Sequence, residues 1–117
     1  AQEIGASYGA QVEMHHYESL FKDMRQDKRL LDLFTDVMTE FGESPRILPD
    51  DEADGSTDVG NVSYEVPTAQ PTLQIGLGLE AHTPEFTCAA GSDYGLAQAI
   101  KGAKIMAVVA LRYAMCK

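Results

Sequence analysis

Apolar residues follow helical spacing in two parts of the chain. Between residues 27 and 42 they fall on one stripe, which predicts an amphipathic helix. Asp27 can cap the N-terminus of this helix, and Gly42 suits the position just after its C-terminus. A longer alanine-rich run, from about Asp93 to Met115, predicts a second helix whose small residues allow close packing, as against a sheet.

Other segments alternate apolar and polar residues, and this spacing predicts strands. The alternation covers residues 10–17, 62–66 and 73–79. Gly5 and Gly9 precede the first of these strands and indicate the end of a helix followed by a turn. Prolines at both ends of residues 67–71 mark a loop between the other two strands.

The formal net charge of −9 arises in one stretch of the chain. Residues 47–100 contain nine of the 18 acidic residues and no lysine or arginine, whereas the rest of the chain is balanced. An acidic surface repels phosphate backbones, so we expect no nucleic-acid partner.

The most apolar stretch, residues 105–111, is too short to span a bilayer, and the first residues do not resemble a signal peptide. We therefore expect a cytoplasmic protein without a membrane partner, with Cys88 and Cys116 as buried free thiols.

Two groupings of metal-binding residue types are weak candidates. Asp50, Glu52 and Asp54 match the first three ligands of a calcium-binding loop. Asn61, however, occupies the position where such a loop needs a bidentate glutamate. A solvated acidic loop is the simpler interpretation. His15 and His16 are neighbours on a predicted strand and would point to opposite faces.

Two other positions are stronger candidates for function. The turn at 55–58 offers backbone N–H groups, the hydroxyls of Ser56 and Thr57 and the carboxylate of Asp58. Such a turn can bind an anion or orient a ligand, although it also has the composition of an ordinary turn. His82 directly follows a predicted strand, where α/β enzymes often carry functional residues. A zinc site needs three or four ligands, so one histidine taken alone is more often structural.

Three blocks, "STDVGNVS", "HTPEF" and "AAGSDYGLAQAIKGAKIMAVVAL", occur in this order within about residues 50–115. In this respect the chain resembles the C-terminal end of the zinc-dependent aminoacylase and carboxypeptidase-G-like amidohydrolases, in the branch of aminobenzoyl-glutamate hydrolase and the aminoacylase-1-like dipeptidases. The resemblance implies an α/β fold, part of an α/β/α sandwich catalytic domain interrupted by a smaller α+β lid and dimerisation domain. Residues 1–20 would end the inserted domain, and residues 21–117 would form the C-terminal part of the catalytic domain.

The resemblance also implies a function. Family members bind two divalent metal ions, normally zinc, and His82 matches their last histidine ligand. Ser56, Thr57 and Asp58 match a loop that lines the site and would help to position the substrate. The other ligands and the general-base glutamate would lie upstream, so this chain would contain no catalytic residue and be inactive alone. The substrate would be an amide: an N-acyl amino acid, aminobenzoyl-glutamate or a dipeptide.

The resemblance further implies a homo-oligomer, because the inserted domain of the family mediates dimerisation. The alternative interpretation is a free-standing, non-catalytic module derived from the same fold. Such a module would associate through strand edges left without neighbours.

Overall fold

The structure, a computed structural model, describes residues 1–49, 52 and 55–115. The regular elements of these residues are helices: α1 (Gln2–Ser7), α2 (Lys28–Glu40), α3 (Val59–Val62), α4 (Pro84–Ala90) and α5 (Asp93–Met115).

The two predicted helices are confirmed, together with the ends of the first. The carboxylate of Asp27 accepts a hydrogen bond from the backbone nitrogen of Leu30 at 2.9 Å and so caps α2. Gly42, just after the C-terminus, has a φ of 82°, a left-handed conformation that glycine adopts without steric cost. Capping residues and helical periodicity agree at both ends of α2, which explains why this prediction succeeded.

The predicted α/β fold class is wrong, because the described part of the chain contains no strand. Val62 ends α3, and the backbone nitrogen of Val66 turns back to donate to the carbonyl oxygen of Val62 at 3.1 Å. Residues 10–17 and 73–79 are irregular. Alternating side chains identify a segment that could line a sheet, but a strand also needs a neighbour that completes its hydrogen-bond ladder. No such neighbour exists among the described residues.

The core lies between α2 and α5. Its four buried apolar side chains are Val37, Met38, Ile105 and Val109. Six partly buried residues pack against them: Leu30, Leu33, Phe34, Phe41, Leu73 and Val108. Leu73 reaches this core from a segment predicted to be a strand, so its apolar side chain is buried against a helix pair and not within a sheet.

Polar contacts join the C-terminal end of α2 to two positions along α5. Arg112 of α5 donates two parallel hydrogen bonds, at 2.7 and 2.8 Å, to the carboxylate of Glu40 on α2. This pairing holds the pKa of the Glu40 carboxyl below its usual range. Earlier in α5, Lys101 pairs at 2.5 Å with Glu43, which lies just after the end of α2, and the buried Gln98 amide donates to the carbonyl oxygen of Gln74 at 2.9 Å.

The chain is more open than an independently folded domain of its length. The Cα radius of gyration is 19.5 Å, against about 13 Å for a compact domain of this size. Much of α5 is uncovered, and its exposed apolar side chains include Leu96, Ile100, Met106 and Leu111. The described helices therefore leave a large apolar surface in contact with solvent.

Helix α5 is much longer than the apolar stretch at 105–111. By length and composition alone its 23 residues could cross a membrane. The core helix of a soluble protein can meet the same criterion, and α5 packs against α2 through Ile105 and Val109. The cytoplasmic location stays a prediction.

The prediction that both cysteines are buried is wrong for Cys88. Cys88 is exposed on the short helix α4, which is too small to bury both of its faces. Cys116 lies outside the described residues, as do Asp50 and Asp54 of the candidate calcium loop.

Candidate functional site

His82 lies in the turn that leads into α4. The hydroxyl of Thr83 caps this helix: it accepts a hydrogen bond from the Phe86 backbone nitrogen at 3.2 Å and donates to the Glu80 carbonyl oxygen at 2.8 Å. Pro84 follows at the first helical position, where its fixed φ favours the start of a helix. The backbone is thus fixed on the C-terminal side of His82, while the imidazole itself is exposed.

The backbone of His82 is left-handed, with a φ of 65°. It is the one described non-glycine residue with a positive φ. A side chain in this conformation crowds the following carbonyl and costs about 1–2 kcal/mol. Such conformations persist where surrounding contacts impose them, and they cluster at functional sites. The Thr83 cap supplies such contacts here, and the imidazole is exposed beside it.

The turn predicted to contact substrate precedes α3. The Thr57 hydroxyl accepts a hydrogen bond from the Val59 backbone nitrogen at 3.2 Å. Asp58 occupies the N-cap position, but its side chain makes no capping bond and is exposed. Ser56 is exposed as well. The carboxylate and one hydroxyl of this turn are therefore accessible to a ligand.

The helices of the described residues do not bring His82 and this turn together. Helix α5 contacts both α2 and α4, whereas α3 contacts none of the other helices. One surface cavity lies along α2 beside Asp32 and Leu33, and another is lined by residues 25–27 and 63–67. Neither of these two cavities is lined by His82 or Ser56.

The described residues do not form a metal centre. Among residues 1–49, 52 and 55–115, no three histidine, cysteine, aspartate or glutamate side chains are grouped closely enough to hold a metal ion. His15 and His16 are exposed, and the Nε2 atom of His15 lies 3.6 Å from a carboxylate oxygen of Glu13. A single imidazole does not hold zinc, which needs three or four protein ligands. His82 fits a metal site only as one donor in a set completed by other residues.

A different group of polar contacts holds residues 20–27, which we call the strap. The side-chain amide of Asn61 binds the strap backbone at two points. Its oxygen accepts from the backbone nitrogen of Lys22 at 2.7 Å, and its nitrogen donates to the carbonyl oxygen of Leu20 at 3.1 Å. The neighbouring Gly60 is buried against the same stretch, where a Cβ would collide with the Lys22 carbonyl oxygen.

Two further main-chain bonds hold the second half of the strap. The backbone nitrogen of Arg25 donates to the Ser63 hydroxyl at 2.9 Å, and that of Asp27 donates to the carbonyl oxygen of Thr68 at 2.8 Å. The Ser63 hydroxyl is oriented in turn, because it donates to the carbonyl oxygen of Gly60 at 2.6 Å. These bonds recognise the backbone of the strap and do not depend on the identity of its side chains.

Tyr64 contacts three side chains of the strap. The Arg25 guanidinium carbon lies 3.8 Å from the ring centroid, and the Lys22 ammonium nitrogen lies 4.4 Å from it. The Tyr64 hydroxyl donates a hydrogen bond to the Asp23 carboxylate at 2.6 Å. This bond holds the pKa of the Asp23 carboxyl below its usual range and raises the pKa of the Tyr64 hydroxyl. We call the residues that hold the strap the clasp: Gly60, Asn61, Ser63, Tyr64 and Thr68.

Nothing in the sequence pattern indicated the clasp. Its bonds join residues that are about 40 positions apart, such as Lys22 and Asn61. Polar side chains that bind a backbone leave no periodicity. The local signal is the pair formed by Gly60 and Asn61, a residue without a side chain beside one whose amide can imitate a peptide group.

Comparison with known proteins finds that a segment of the chain is similar to part of two dipeptidases. The relatives that show this are the Xaa-Arg dipeptidases of Mus musculus and Homo sapiens. Each is 44% identical to this chain over 57 residues, which are 49% of this chain but 13% of the relative. No protein-family profile and no solved structure matches the chain. The similarity therefore covers a short part of the relatives and supports a hydrolase lineage.

Proposed function

We propose that this chain is the C-terminal part of a metal-dependent amidohydrolase that cleaves an amide bond of a small substrate. The observation that carries the proposal is the 44% identity over 57 residues with the Xaa-Arg dipeptidases. The exposed, left-handed His82 in its capped turn supports it independently. The open form of the chain and its uncovered apolar surface agree with packing against further protein.

In this proposal His82 supplies one imidazole ligand to a pair of divalent ions, with zinc the expected metal. Bound metal ions of this kind polarise an amide carbonyl and lower the pKa of a water molecule. The remaining ligands and the general-base glutamate come from outside this chain. The exposed Asp58 carboxylate and Ser56 hydroxyl would orient the substrate through hydrogen bonds, and the Thr57 hydroxyl would hold the turn in shape.

Among the amide substrates expected from the sequence, a dipeptide is favoured. The matched relatives are named as dipeptidases, whereas nothing in the described residues favours an N-acyl amino acid or aminobenzoyl-glutamate. The division into lid residues 1–20 and catalytic residues 21–117 belongs to the same proposal, as do the homo-oligomeric state and the cytoplasmic location.

The product of the complete reading frame provides the test. Metal content and hydrolysis of a dipeptide panel are measured for wild type, His82→Ala and the control His16→Ala. We expect His82→Ala to lose about half of the bound metal and at least a hundredfold in kcat/KM, since substitutions near metal ligands already cost 10–100-fold. The His16 variant should match wild type. Full metal content and activity in His82→Ala would refute the role of this residue.

The isolated chain gives a second, complementary test. With added zinc it should hydrolyse none of the substrates, because it contains one of the expected ligands. Turnover that follows this chain through purification and is abolished by a chelator would contradict the proposal. The alternative of a free-standing association module relied on exposed strand edges, and the described residues contain no strand.

A further inference from the structure

We propose that the clasp is a docking groove for an extended peptide segment with cationic residues three positions apart, and that the strap occupies this groove as an internal ligand. The inference concerns a surface separate from His82 and does not depend on the proposed hydrolase activity. It rests on how the strap backbone is bound, on the charged side chains that Tyr64 contacts and on how few other contacts hold the strap.

The clasp binds main-chain groups. Asn61 pairs with one N–H and one C=O of the strap, as a neighbouring strand would, and Ser63 accepts a further backbone N–H. Recognition of this kind gives affinity for any extended segment that presents the same groups, as in other proteins that bind extended peptides. Gly60 keeps the surface flat enough for the peptide backbone to approach.

The side-chain contacts select two cationic groups and one carboxylate, since the Tyr64 hydroxyl donates to Asp23. Tyr64 lies under the cationic groups of Lys22 and Arg25, and its ring face attracts both of them. The clasp belongs to residues 47–100, which carry nine acidic and no basic residues. That excess of negative charge favours cationic groups, and a peptide with basic residues three positions apart, the first followed by an acidic residue, matches the ring and the hydroxyl of Tyr64.

Little except the clasp retains the strap. Leu20 is 68% exposed and Phe21 is 48% exposed, so the first half of the strap buries little apolar surface. Helix α1, which precedes it, contacts none of the other helices. Opening therefore breaks mainly the polar contacts to the clasp and leaves the α2–α5 core intact, which is the condition for local release.

The test uses the full chain and a fluorescently labelled peptide with the sequence of residues 20–27. In wild type the tethered strap competes at an effective concentration in the millimolar range, so the peptide should bind weakly. Replacing Lys22 and Arg25 with proline removes two backbone donors of the strap while the clasp is unchanged. We expect fluorescence anisotropy to show at least tenfold tighter peptide binding to this double variant.

Two controls identify the groove and its specificity. Adding Asn61→Ala to the double variant should reverse the gain in affinity. A peptide with alanine at the positions of Lys22 and Arg25 should bind at least threefold more weakly, because the Tyr64 ring loses both cations. Equal peptide affinity for wild type and the double variant, or affinity indifferent to Asn61→Ala, would overturn the proposal.

Hydrogen exchange on the wild-type chain decides the matter if the double variant loses its helical circular dichroism. Millimolar peptide should accelerate exchange at the strap amides of Lys22 and Arg25, because it displaces them from the clasp. Amides of α5 should be unaffected. Unchanged exchange of the strap amides at saturating peptide would show that the strap is a fixed part of the fold and that no docking groove exists.

Discussion

Replacing Ile105 with alanine should remove much of the stability of the α2–α5 pair. Ile105 is 2% exposed and is one of the four buried apolar side chains of the core. The substitution removes three carbon atoms, each stabilising by about 0.8 kcal/mol when buried. The cavity left behind brings the loss to about 2–5 kcal/mol. Native domains are stable by only about 5–15 kcal/mol, so a core this small would lose a large fraction of its stability.

Urea denaturation followed by far-ultraviolet circular dichroism measures this loss. The matched control is Met106→Ala, one residue further along the same helix, where the side chain is 58% exposed. This control should change the free energy of unfolding by about 0.5 kcal/mol or less. If both variants shift the urea midpoint equally, burial between α2 and α5 is not what stabilises the chain, and the assignment of the core fails.

Three further predictions address the ends of helices, the charged contacts and the thiols. Thr83→Ala removes the cap of α4 and should cost about 0.5–2 kcal/mol in a urea titration, with Thr83→Ser retaining most of the stability. The hydrogen bond from Lys101 holds the pKa of the Glu43 carboxyl below its usual range. The stability that this pair contributes is therefore complete above the usual carboxyl pKa and is lost as the pH falls through the lowered value. Urea midpoints at pH 7 and pH 3 should differ less in Glu43→Gln than in wild type. Cys88 is exposed, so a thiol reagent should label it in the native Cys116→Ser variant without urea, and labelling that requires unfolding would show that this thiol is buried.

Elements stabilised by local chemistry could be predicted from the sequence. The α2 helix has its capping residue, apolar stripe and terminal glycine within a few residues of one another, and the structure contains all three. The strands could not be predicted in this way, because a strand exists only with a partner and the alternation at 73–79 does not identify one. Leu73 instead packs on a helix pair.

The candidate site shows the same division. The position of His82 before a helix was evident from the adjacent Thr83 and Pro84, since both are residue types typical of a helix N-terminus. Its left-handed backbone was not evident, because that conformation is imposed by the surrounding turn. The clasp was also unexpected, since its bonds connect polar groups that are distant in the sequence and lack periodicity.

The uncovered side of α5 has a consequence for the colloidal behaviour of the chain. Its apolar residues attract other copies, and the net charge of −9 opposes that attraction by mutual repulsion. Concentrated salt shortens the range of this repulsion to a few ångströms, and acidification towards the isoelectric point of about 4.6 removes it. Dilute buffer near neutral pH is therefore the condition under which the chain stays dispersed.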